Sequence, residues 1–308
     1  MNVLLLGLGA IARKHIHALR QIDEGVSLAA LRHSVQSPAE EGIQNLYQWE
    51  EVYQAPQPFD FVIISTPTSE HLASIRQAIP LGIPLFIEKP LLHTLDGLEA
   101  LERDIHRANI PTYVACNLRF LECITYLKQQ ILSKQPRINE INIYCGSYLP
   151  HWRPNADFRT IYSARPELGG GVHIDLIHEL DYLYYLLGAP RHTRSTYRNQ
   201  SSLHIEAIDY ANYCLEYEGF CASVVLNYYR RDTKRQCEIV CEDGTYLIDL
   251  LSNTITRDKQ LIFQSEQRIQ DTYETQLRYF IDSLHQGRQL MNDVSEAKHI
   301  MEYFYPPL

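Results

Sequence analysis

The chain has 308 residues, of which 45% are hydrophobic and 21% charged, a composition typical of a globular protein long enough for two domains. Its formal net charge of -9, without any block of Lys and Arg, argues against a nucleic acid as partner. Residues 1–12 are apolar but too few to cross a bilayer, and they lack a basic leader. The seven cysteines are scattered, as in proteins with reduced thiols, so we expect a cytoplasmic protein without a membrane segment.

The first part of the chain alternates short apolar strands with amphipathic helices. The predicted strands are residues 2–6, 27–31, 59–65, 84–87 and 112–115, and the predicted helices are residues 11–21, 69–81 and 95–108. Continuous apolar strands separated by helices are typical of a parallel sheet that is covered on both faces. We therefore expect an α/β fold that begins with a doubly wound Rossmann domain over residues 1–120.

Beyond residue 122, longer β-rich runs follow one another. They cover residues 138–149, 192–200, 207–217, 222–229, 236–240 and 246–250, and Glu218-Gly219 and Asp243-Gly244 have the composition of hairpin turns. Helices are expected over residues 171–187 and near residues 271–286, on the faces of this sheet. The order predicts a second α/β domain, residues 121–308, with a mainly antiparallel open sheet.

A glycine motif follows the first predicted strand directly. Gly7, Gly9, Ala10 and Ile11 belong to a Gly-x-Gly-x-x-Ala pattern that opens a helix. Gly7 would permit the tight turn, and Gly9 would let the backbone approach a pyrophosphate at the helix N-terminus. Glycines that merely turn a strand into a helix are the alternative, and the position after the first strand favours a dinucleotide site.

The end of the second predicted strand bears on the choice between the two nicotinamide cofactors. NAD-binding domains usually place an acidic residue about 20 residues after the glycine motif, whereas this chain has Arg32, His33 and Ser34 there. A guanidinium and a hydroxyl suit a 2′-phosphate, so NADP(H) is the preferred cofactor and NAD(H) the alternative. The alternative is that Arg32 is an ordinary surface residue and sets no preference between the two cofactors.

Small polar residues follow the predicted strand at residues 59–65. Ser65, Thr66 and Pro67 leave the sheet at its carboxyl edge, the side on which open α/β folds bind ligands. We expect them to line the cofactor, although a simple turn before a helix would also explain them.

Glu88-Lys89-Pro90 ends the strand at residues 84–87. Together with the glycine motif and Gly169-Gly170-Gly171, this tripeptide resembles the glucose–fructose oxidoreductase, inositol dehydrogenase and MocA family, and the resemblance spans nearly the whole chain. It implies that Glu88 and Lys89 face the cofactor, that Lys89 bonds the nicotinamide ribose and the reacting oxygen, and that a cis bond precedes Pro90. It also implies cofactor positions for His71 and Asn117.

The chemistry of Lys89 supports the same role independently. An ammonium at the carboxyl end of a strand can polarise a carbonyl or stabilise an alkoxide as hydride moves. A surface ion pair with Glu88 is the alternative. For His71, an ordinary position in the turn that caps a helix is an equally good alternative. Arg119, near Asn117, is a candidate to link the two domains.

The glycine run at residues 169–171 introduces the second candidate site. His178 can take or return the proton of a sugar hydroxyl, and Asp175 would orient it. The resemblance implies an Asp and a His four apart on a helix, whereas Asp175 and His178 are three apart, which puts the role of Asp175 in doubt. A histidine of the core or helix surface is the alternative, and a metal site that includes His173 is a further one, although we expect no metal.

The segment before the glycine run contains the substrate candidates. Trp152 offers a flat apolar face for a sugar ring, while Arg153, Arg159 and Arg165 could bind a carboxylate or a phosphate. Aromatic packing with surface arginines is the alternative. The sequence of this region resembles the branch of the family found in bacterial surface-polysaccharide metabolism, which implies that the substrate is an anionic or nucleotide-linked sugar.

These observations predict an NAD(P)-dependent oxidoreductase that moves a hydride between the nicotinamide and a sugar carbon. A redox-neutral elimination or hydrolysis with the same cofactor, and a non-catalytic dinucleotide sensor, are the alternatives. The family commonly forms dimers through an open sheet face, so we expect a homodimer or homotetramer.

Overall fold

The computed structural model describes residues 1–32, 34, 36 and 39–305, so His33 lies outside the described residues. The chain divides into two compact units. The first consists of Met1–Ala115 with Tyr273–His299, and the second of Cys116–Thr272 with the chain from Ile300 onward. No helix within the described ranges is long and apolar enough to span a membrane.

The first unit is built on a parallel sheet of six strands. Its strands are β1 (Asn2–Leu6), β2 (Ser27–Leu31), β3 (Gln44–Leu46), β4 (Phe61–Ile64), β5 (Leu85–Glu88) and β6 (Thr112–Ala115). Their order, β3-β2-β1-β4-β5-β6, is that of a Rossmann fold, and β4, β5 and β6 are buried along their whole length. The predicted Rossmann sheet is therefore confirmed, and the short strand β3 is an addition that the sequence did not indicate.

Helices connect these strands. They are α1 (Ala10–Ile22), α2 (Trp49–Tyr53), α3 (His71–Ala78) and α4 (Leu98–Ala108). On α1 the buried positions Ala12, His15, Ile16 and Leu19 recur at helical spacing, so one stripe of this helix faces the core. The predicted helices are present, with boundaries shifted by a few residues.

The second unit is built on a mixed sheet of eight strands. These are β7 (Ile138–Tyr148), β8 (His192–Arg198), β9 (Tyr210–Glu216), β10 (Cys221–Asn227), β11 (Tyr229–Cys241), β12 (Gly244–Asp249), β13 (Thr254–Arg257) and β14 (Gln260–Gln264). The order is β14-β13-β12-β11-β7-β10-β9-β8, and every neighbouring pair is antiparallel except β7 with β10. The mainly antiparallel sheet is confirmed, with β13 and β14 as further strands.

The helices of the second unit are short. They are α5 (Glu122–Tyr126), α6 (Val172–Asp175) and α7 (His178–Leu187). The single helix predicted over residues 171–187 is therefore wrong: Leu176, with ψ of 26°, ends α6, and α7 begins at His178. An ion pair joins α7 to the sheet, because Arg235 on β11, whose side chain is 14% exposed, donates to both carboxylate oxygens of the buried Glu179 at 2.5 and 3.1 Å.

The last two helices are α8 (Thr272–His285) and α9 (Val294–Phe304). Phe280 of α8 packs edge-on against Phe61 and Phe86, with ring centroids 5.2 and 5.4 Å apart. Asn292 bonds Val114 of β6 through its carbonyl oxygen and its side-chain amide. The sequence prediction assigned this segment to the second domain, whereas these contacts place Tyr273–His299 in the first unit, because helical periodicity does not say which sheet a helix covers.

Candidate functional site

The turn from β1 into α1 has the geometry that its glycine motif predicts. Gly7 has φ of +88°, and a Cβ there would lie 2.9 Å from the Ser65 carbonyl oxygen and the Thr66 nitrogen. Ser65 Oγ lies 3.2 Å from the carbonyl oxygens of both Leu6 and Gly7 and can donate to either. The β4 loop therefore packs directly on the glycine turn, which fixes the position of both.

Gly9 faces a different environment. It caps α1 without a side-chain hydrogen bond, and a Cβ built on it meets nothing within 4 Å. Ala10 is exposed and Ile11 half-buried at the start of the same helix. The N-terminus of α1 thus has open space in front of backbone N–H groups, which fits the pyrophosphate of a dinucleotide.

Arg32 lines a cavity of about 320 Å³ beside this turn. Its Nη1 donates to Asn45 Oδ1 at 2.7 Å, which holds the half-buried guanidinium at the end of β2. The cavity is lined by Leu6, Gly7, Leu31, Arg32, Tyr47, Trp49, Thr66, Ser74 and Gln77. Three predicted cofactor residues therefore share one cavity, and its size and aromatic lining suit an adenosine group.

The other polar candidates of this region differ in exposure. Ser34 is exposed, and its hydroxyl accepts the Gln36 N–H at 3.1 Å. Thr66 is buried, with its hydroxyl 3.2 Å from that of Ser74, whereas Pro67 is exposed. The sequence did not single out Tyr47, Trp49 or Asn45, because they precede or belong to α2 and β3, which carry no motif.

His71 is enclosed by backbone carbonyl oxygens. Its Nδ1 lies 2.9 Å from the Pro90 oxygen and 3.2 Å from the Leu91 oxygen, and its Nε2 lies 3.1 Å from the Thr66 oxygen. Burial lowers the pKa of His71 below its ordinary value. The ring thus connects the loop after β4 to the segment after β5, where the expected cis bond between Lys89 and Pro90 is present.

Glu88 is engaged from two sides at the end of β5. His15 of α1 is wholly buried and places Nε2 2.5 Å from Glu88 Oε1, while Glu88 Oε2 accepts the Lys89 backbone N–H at 3.2 Å. The His15 ring also packs edge-on against Phe86 and Tyr273. Lys89 itself is half-buried. His15 is a site residue that the sequence analysis missed, although a histidine in the apolar stripe of α1 was a usable signal.

Asn117 and Arg119 both bond within the second unit. Asn117 is buried, and its amide donates to Thr272 Oγ1 at 2.7 Å. Arg119 is 2% exposed and donates to the two carboxylate oxygens of Asp181 at 2.9 and 2.7 Å. The amide of Asn117, which the sequence analysis assigned to the cofactor, is therefore already bonded to Thr272. Asp181, which accepts both bonds from Arg119, belongs to the same unit as Arg119.

Asp175, at the end of α6, accepts two tyrosine hydroxyls. Tyr162 donates to Oδ1 and Tyr228 to Oδ2, each at 2.5 Å, and Asp175 is 5% exposed. Burial, followed by the Asp175 charge, raises the pKa of both tyrosines well above the ordinary value, so both hydroxyls stay protonated. The sequence analysis missed these two partners because they are 13 and 53 residues away.

The glycine run packs against protein backbone. A Cβ on Gly170 would lie 2.0 Å from the Tyr162 carbonyl oxygen and 2.8 Å from that of Arg165. At Gly170 the close neighbour is therefore the loop around Tyr162. Gly170 thus allows that loop to lie beside α6, where Tyr162 reaches Asp175.

The two histidines of this region have different surroundings. His178 is half-buried at the first position of α7. His173 is 6% exposed, packs edge-on against Tyr197 and Tyr305, and has a pKa that burial lowers to about 4. Of the two, His178 is the less buried.

The substrate candidates lie at the surface of the second unit. Trp152 is 38% exposed, its Nε1 donates to Ser147 Oγ, and its ring packs edge-on against Tyr228 at 5.3 Å between centroids. Arg153 is exposed. Arg159 and Arg165 line one cavity of about 310 Å³ with His204, and each has a carboxylate nearby, Asp157 and Glu167 respectively.

Among the described residues, no three His, Cys, Asp or Glu side chains form a group that could hold a metal ion. All seven cysteines are free thiols, in agreement with the sequence analysis.

The first unit is thus a Rossmann unit with a glycine turn, an adenosine-sized cavity and a Glu-Lys-Pro loop, and the chain is of the dinucleotide-binding oxidoreductase class. A sequence model described as the oxidoreductase family with an NAD-binding Rossmann fold, GFO_IDH_MocA, matches residues 1–114. A second, the GFO/IDH/MocA C-terminal domain, matches residues 132–247. The chain belongs to the Gfo/Idh/MocA family of oxidoreductases, as its motifs predicted.

Named relatives and solved structures are similar to the chain over most of its length. An inositol 2-dehydrogenase/D-chiro-inositol 3-dehydrogenase of Halalkalibacterium halodurans is 24% identical over 92% of this chain and 83% of its own. A solved structure described as a putative NADPH-dependent oxidoreductase of Desulfitobacterium hafniense has a TM-score of 0.85 at 15% identity, over 99% of this chain and 93% of its own. A levoglucosan dehydrogenase complex with NADH has a TM-score of 0.83 at 16% identity, with 97% and 94% coverage. These two structures are similar in fold.

Proposed function

We propose that this protein moves a hydride between a nicotinamide cofactor and a carbon of a sugar or cyclic polyol. The observation that carries the proposal is the position of Lys89 in a member of this oxidoreductase family: Glu88 ends β5, and Lys89 and Pro90 follow it at the carboxyl edge of the sheet. The loops that carry Gly7 and Thr66 leave β1 and β4 at the same edge. Relatives named as dehydrogenases of inositol and D-apiose support a polyhydroxylated substrate.

The open N-terminus of α1 would hold the pyrophosphate, through the backbone at Gly9, Ala10 and Ile11. The cavity with Arg32 and Thr66 would take the adenosine end, with Ser65, Pro67 and His71 shaping the loops around it. Glu88, Lys89 and Asn117 are proposed for the nicotinamide end. When bound, the nicotinamide supplies two-electron hydride chemistry.

Lys89 and His178 are the proposed catalytic residues. During oxidation the C–H bond breaks with its electron pair leaving as hydride, the hydroxyl O–H bond breaks, and a carbon–oxygen double bond forms. Lys89 would stabilise the negative charge on that oxygen, and His178 would accept the hydroxyl proton. Asp175, the third proposed catalytic residue, would orient His178 as a fixed carboxylate beside the reaction, and reduction reverses each step.

NADP(H) is the proposed cofactor, with NAD(H) as the alternative. Arg32 lines the adenosine-sized cavity, and Asn45 orients it, so a guanidinium is available for a 2′-phosphate. His33 and Ser34 follow it in the chain, and His33 is outside the described residues.

The substrate is proposed to stack on Trp152, with Arg153, Arg159 and Arg165 available for an anionic or nucleotide-linked group. The cavity shared by Arg159 and Arg165 supports such a group, although nearby carboxylates reduce its net charge. Comparing a free sugar with its phosphate or nucleotide ester distinguishes the two classes, since only the ester would gain affinity from these arginines.

A homodimer or homotetramer is also proposed. One face of the eight-stranded sheet carries Asn142, Tyr144, Ser223 and Gln236 around a cavity of about 340 Å³, and such a face is available to a second copy. Analytical ultracentrifugation would test this proposal, and a monomer at micromolar concentration would reject it.

The test of the activity combines purified protein, each nicotinamide cofactor and a panel of inositols, pentoses and nucleotide sugars, with absorbance of the reduced cofactor as the readout. We expect one class of substrate to be turned over. Lys89→Met and His178→Asn should each lower kcat about 100-fold or more, because each removes a group that acts in the transition state.

Arg103→Met, on α4, is the control for a lost surface charge and should leave kcat unchanged. Full turnover in both Lys89→Met and His178→Asn would overturn the catalytic assignment. Product formed without any net change in reduced cofactor would instead indicate the redox-neutral reaction.

A further inference from the structure

Asp175, Tyr162, Tyr228 and Trp152 form a connected array in the second unit, which we call the tyrosine clamp. Each carboxylate oxygen of Asp175 accepts one tyrosine hydroxyl at 2.5 Å. The Tyr228 ring in turn meets the Trp152 indole edge-on at 5.3 Å. The array therefore runs without a gap from a buried carboxylate to an exposed aromatic surface.

Burial and hydrogen bonds restrict the motion of the side chains in the clamp. Tyr228 is wholly buried, and Trp152 is held by the bond from its Nε1 to Ser147 Oγ at 2.9 Å. Tyr162 reaches Asp175 because Gly170 lets the Tyr162 loop approach within a distance that any side chain would prevent. Charged hydrogen bonds of this length are strong and directional, so the carboxylate has little freedom to rotate.

We propose that Tyr162 and Tyr228 are positioning residues that fix the orientation of the Asp175 carboxylate, and that Tyr228 also aligns Trp152 with it. A sugar ring stacked on Trp152 would then meet Asp175 in one geometry, which selects ring-form substrates by the placement of their hydroxyls. This inference rests on the proposed function, in which the sugar stacks on Trp152 and Asp175 lies beside the reaction.

The first experiment needs no substrate and uses the emission of Trp152. The chain has two tryptophans, so Trp49→Phe leaves Trp152 as the only one. In that background we expect Tyr228→Phe and Asp175→Asn each to shift the emission maximum of Trp152. The shifts should not add in the double variant, because both act through one hydroxyl-to-carboxylate bond.

The matched control is Tyr213→Phe, which removes a hydroxyl from another wholly buried tyrosine, on β9 of the same unit. It should leave the emission unchanged. Additive shifts for Tyr228→Phe and Asp175→Asn, or no shift in either, would overturn the alignment of Trp152.

The second experiment repeats the same cycle on turnover with otherwise unaltered protein. Tyr228→Phe and Tyr162→Phe should each lower kcat about tenfold and change the KM for the sugar less than about twofold, since stacking on Trp152 persists while the carboxylate is free to rotate. In the Asp175→Asn background, neither tyrosine substitution should lower kcat further.

A tyrosine substitution that lowers kcat equally with and without Asp175 would indicate a purely structural role and reject the clamp. If no sugar is turned over by any form of the protein, the proposed function fails, and the emission cycle still decides the clamp by itself.

Discussion

Gly9 and Gly170 belong to the two glycine motifs of the chain, one in each unit, and the structure uses them in opposite ways. A Cβ on Gly9 meets nothing within 4 Å, whereas a Cβ on Gly170 would lie 2.0 Å from the Tyr162 carbonyl oxygen. The first glycine leaves room at a helix N-terminus, and the second allows two backbone segments to pack. A glycine motif therefore indicates close approach, and only the neighbouring atoms show whether the approaching partner is a ligand or the protein itself.

Several other residues of the two candidate regions show the same difference, although His71 and Glu88 of the first unit are also buried and bonded. In the first unit, Gly9, Ala10 and Arg32 border open space or a cavity. In the second, Asp175 and Asn117 are buried and bonded to other side chains. The first region is thus arranged to receive a ligand through its backbone, and the second to hold side chains in fixed orientations.

The largest expected effect is on stability, and it differs between substitutions of Gly170 and Gly9. Gly170→Ala forces a Cβ into backbone atoms and should lower the free energy of unfolding by about 3 kcal/mol or more, measured by urea denaturation. Gly9→Ala is the matched substitution and should change it by less than about 0.5 kcal/mol, while weakening dinucleotide binding about tenfold. Equal stability of the two variants would remove the distinction between the motifs.

A pH titration of stability tests the burial of side chains in the second unit. The pKa of His173 falls from 6.5 to about 4 on folding, so the unfolded chain binds a proton between these values while the folded chain does not. Stability should therefore decrease as pH falls below about 6.5, by up to about 3 kcal/mol from this residue.

His173→Phe should flatten this part of the pH dependence, because phenylalanine can pack between Tyr197 and Tyr305 and does not titrate. Thermal unfolding of both proteins at pH 7 and pH 4.5 measures the difference. A variant that loses as much stability on acidification as the natural chain would show that His173 is not the cause.

The smallest expected effect concerns the cavity of the first unit. Arg32→Ala should raise the Kd of NADP(H) about tenfold and that of NAD(H) less than twofold, because only the former carries a 2′-phosphate. Asn45→Ala, which removes one hydrogen bond to the Arg32 guanidinium, should produce a smaller change in the same direction. An equal loss of affinity for both cofactors would argue that Arg32 does not bind the 2′-phosphate.

Much of the architecture was predictable from local pattern. The strands β1, β2 and β6 begin and end where the apolar runs do. The strands β3, β13 and β14 were missed because their sequences, Gln-Asn-Leu, Thr-Ile-Thr-Arg and Gln-Leu-Ile-Phe-Gln, mix polar with apolar residues and lack the continuous apolar runs of the predicted strands. The interruption between α6 and α7 was missed as well, since the apolar sequence at Leu176 and Ile177 continues a helical pattern.

The sequence by itself determined the class of fold, the glycine turn, the Lys89 loop and the family, because each depends on residues that are close together in the chain. Only the tertiary structure decided that His15 binds Glu88, that Tyr162 and Tyr228 hold Asp175, and that α8 belongs to the first unit. These contacts join residues far apart in sequence, and the packing of whole elements, rather than a local pattern, sets which buried donor bonds which buried acceptor.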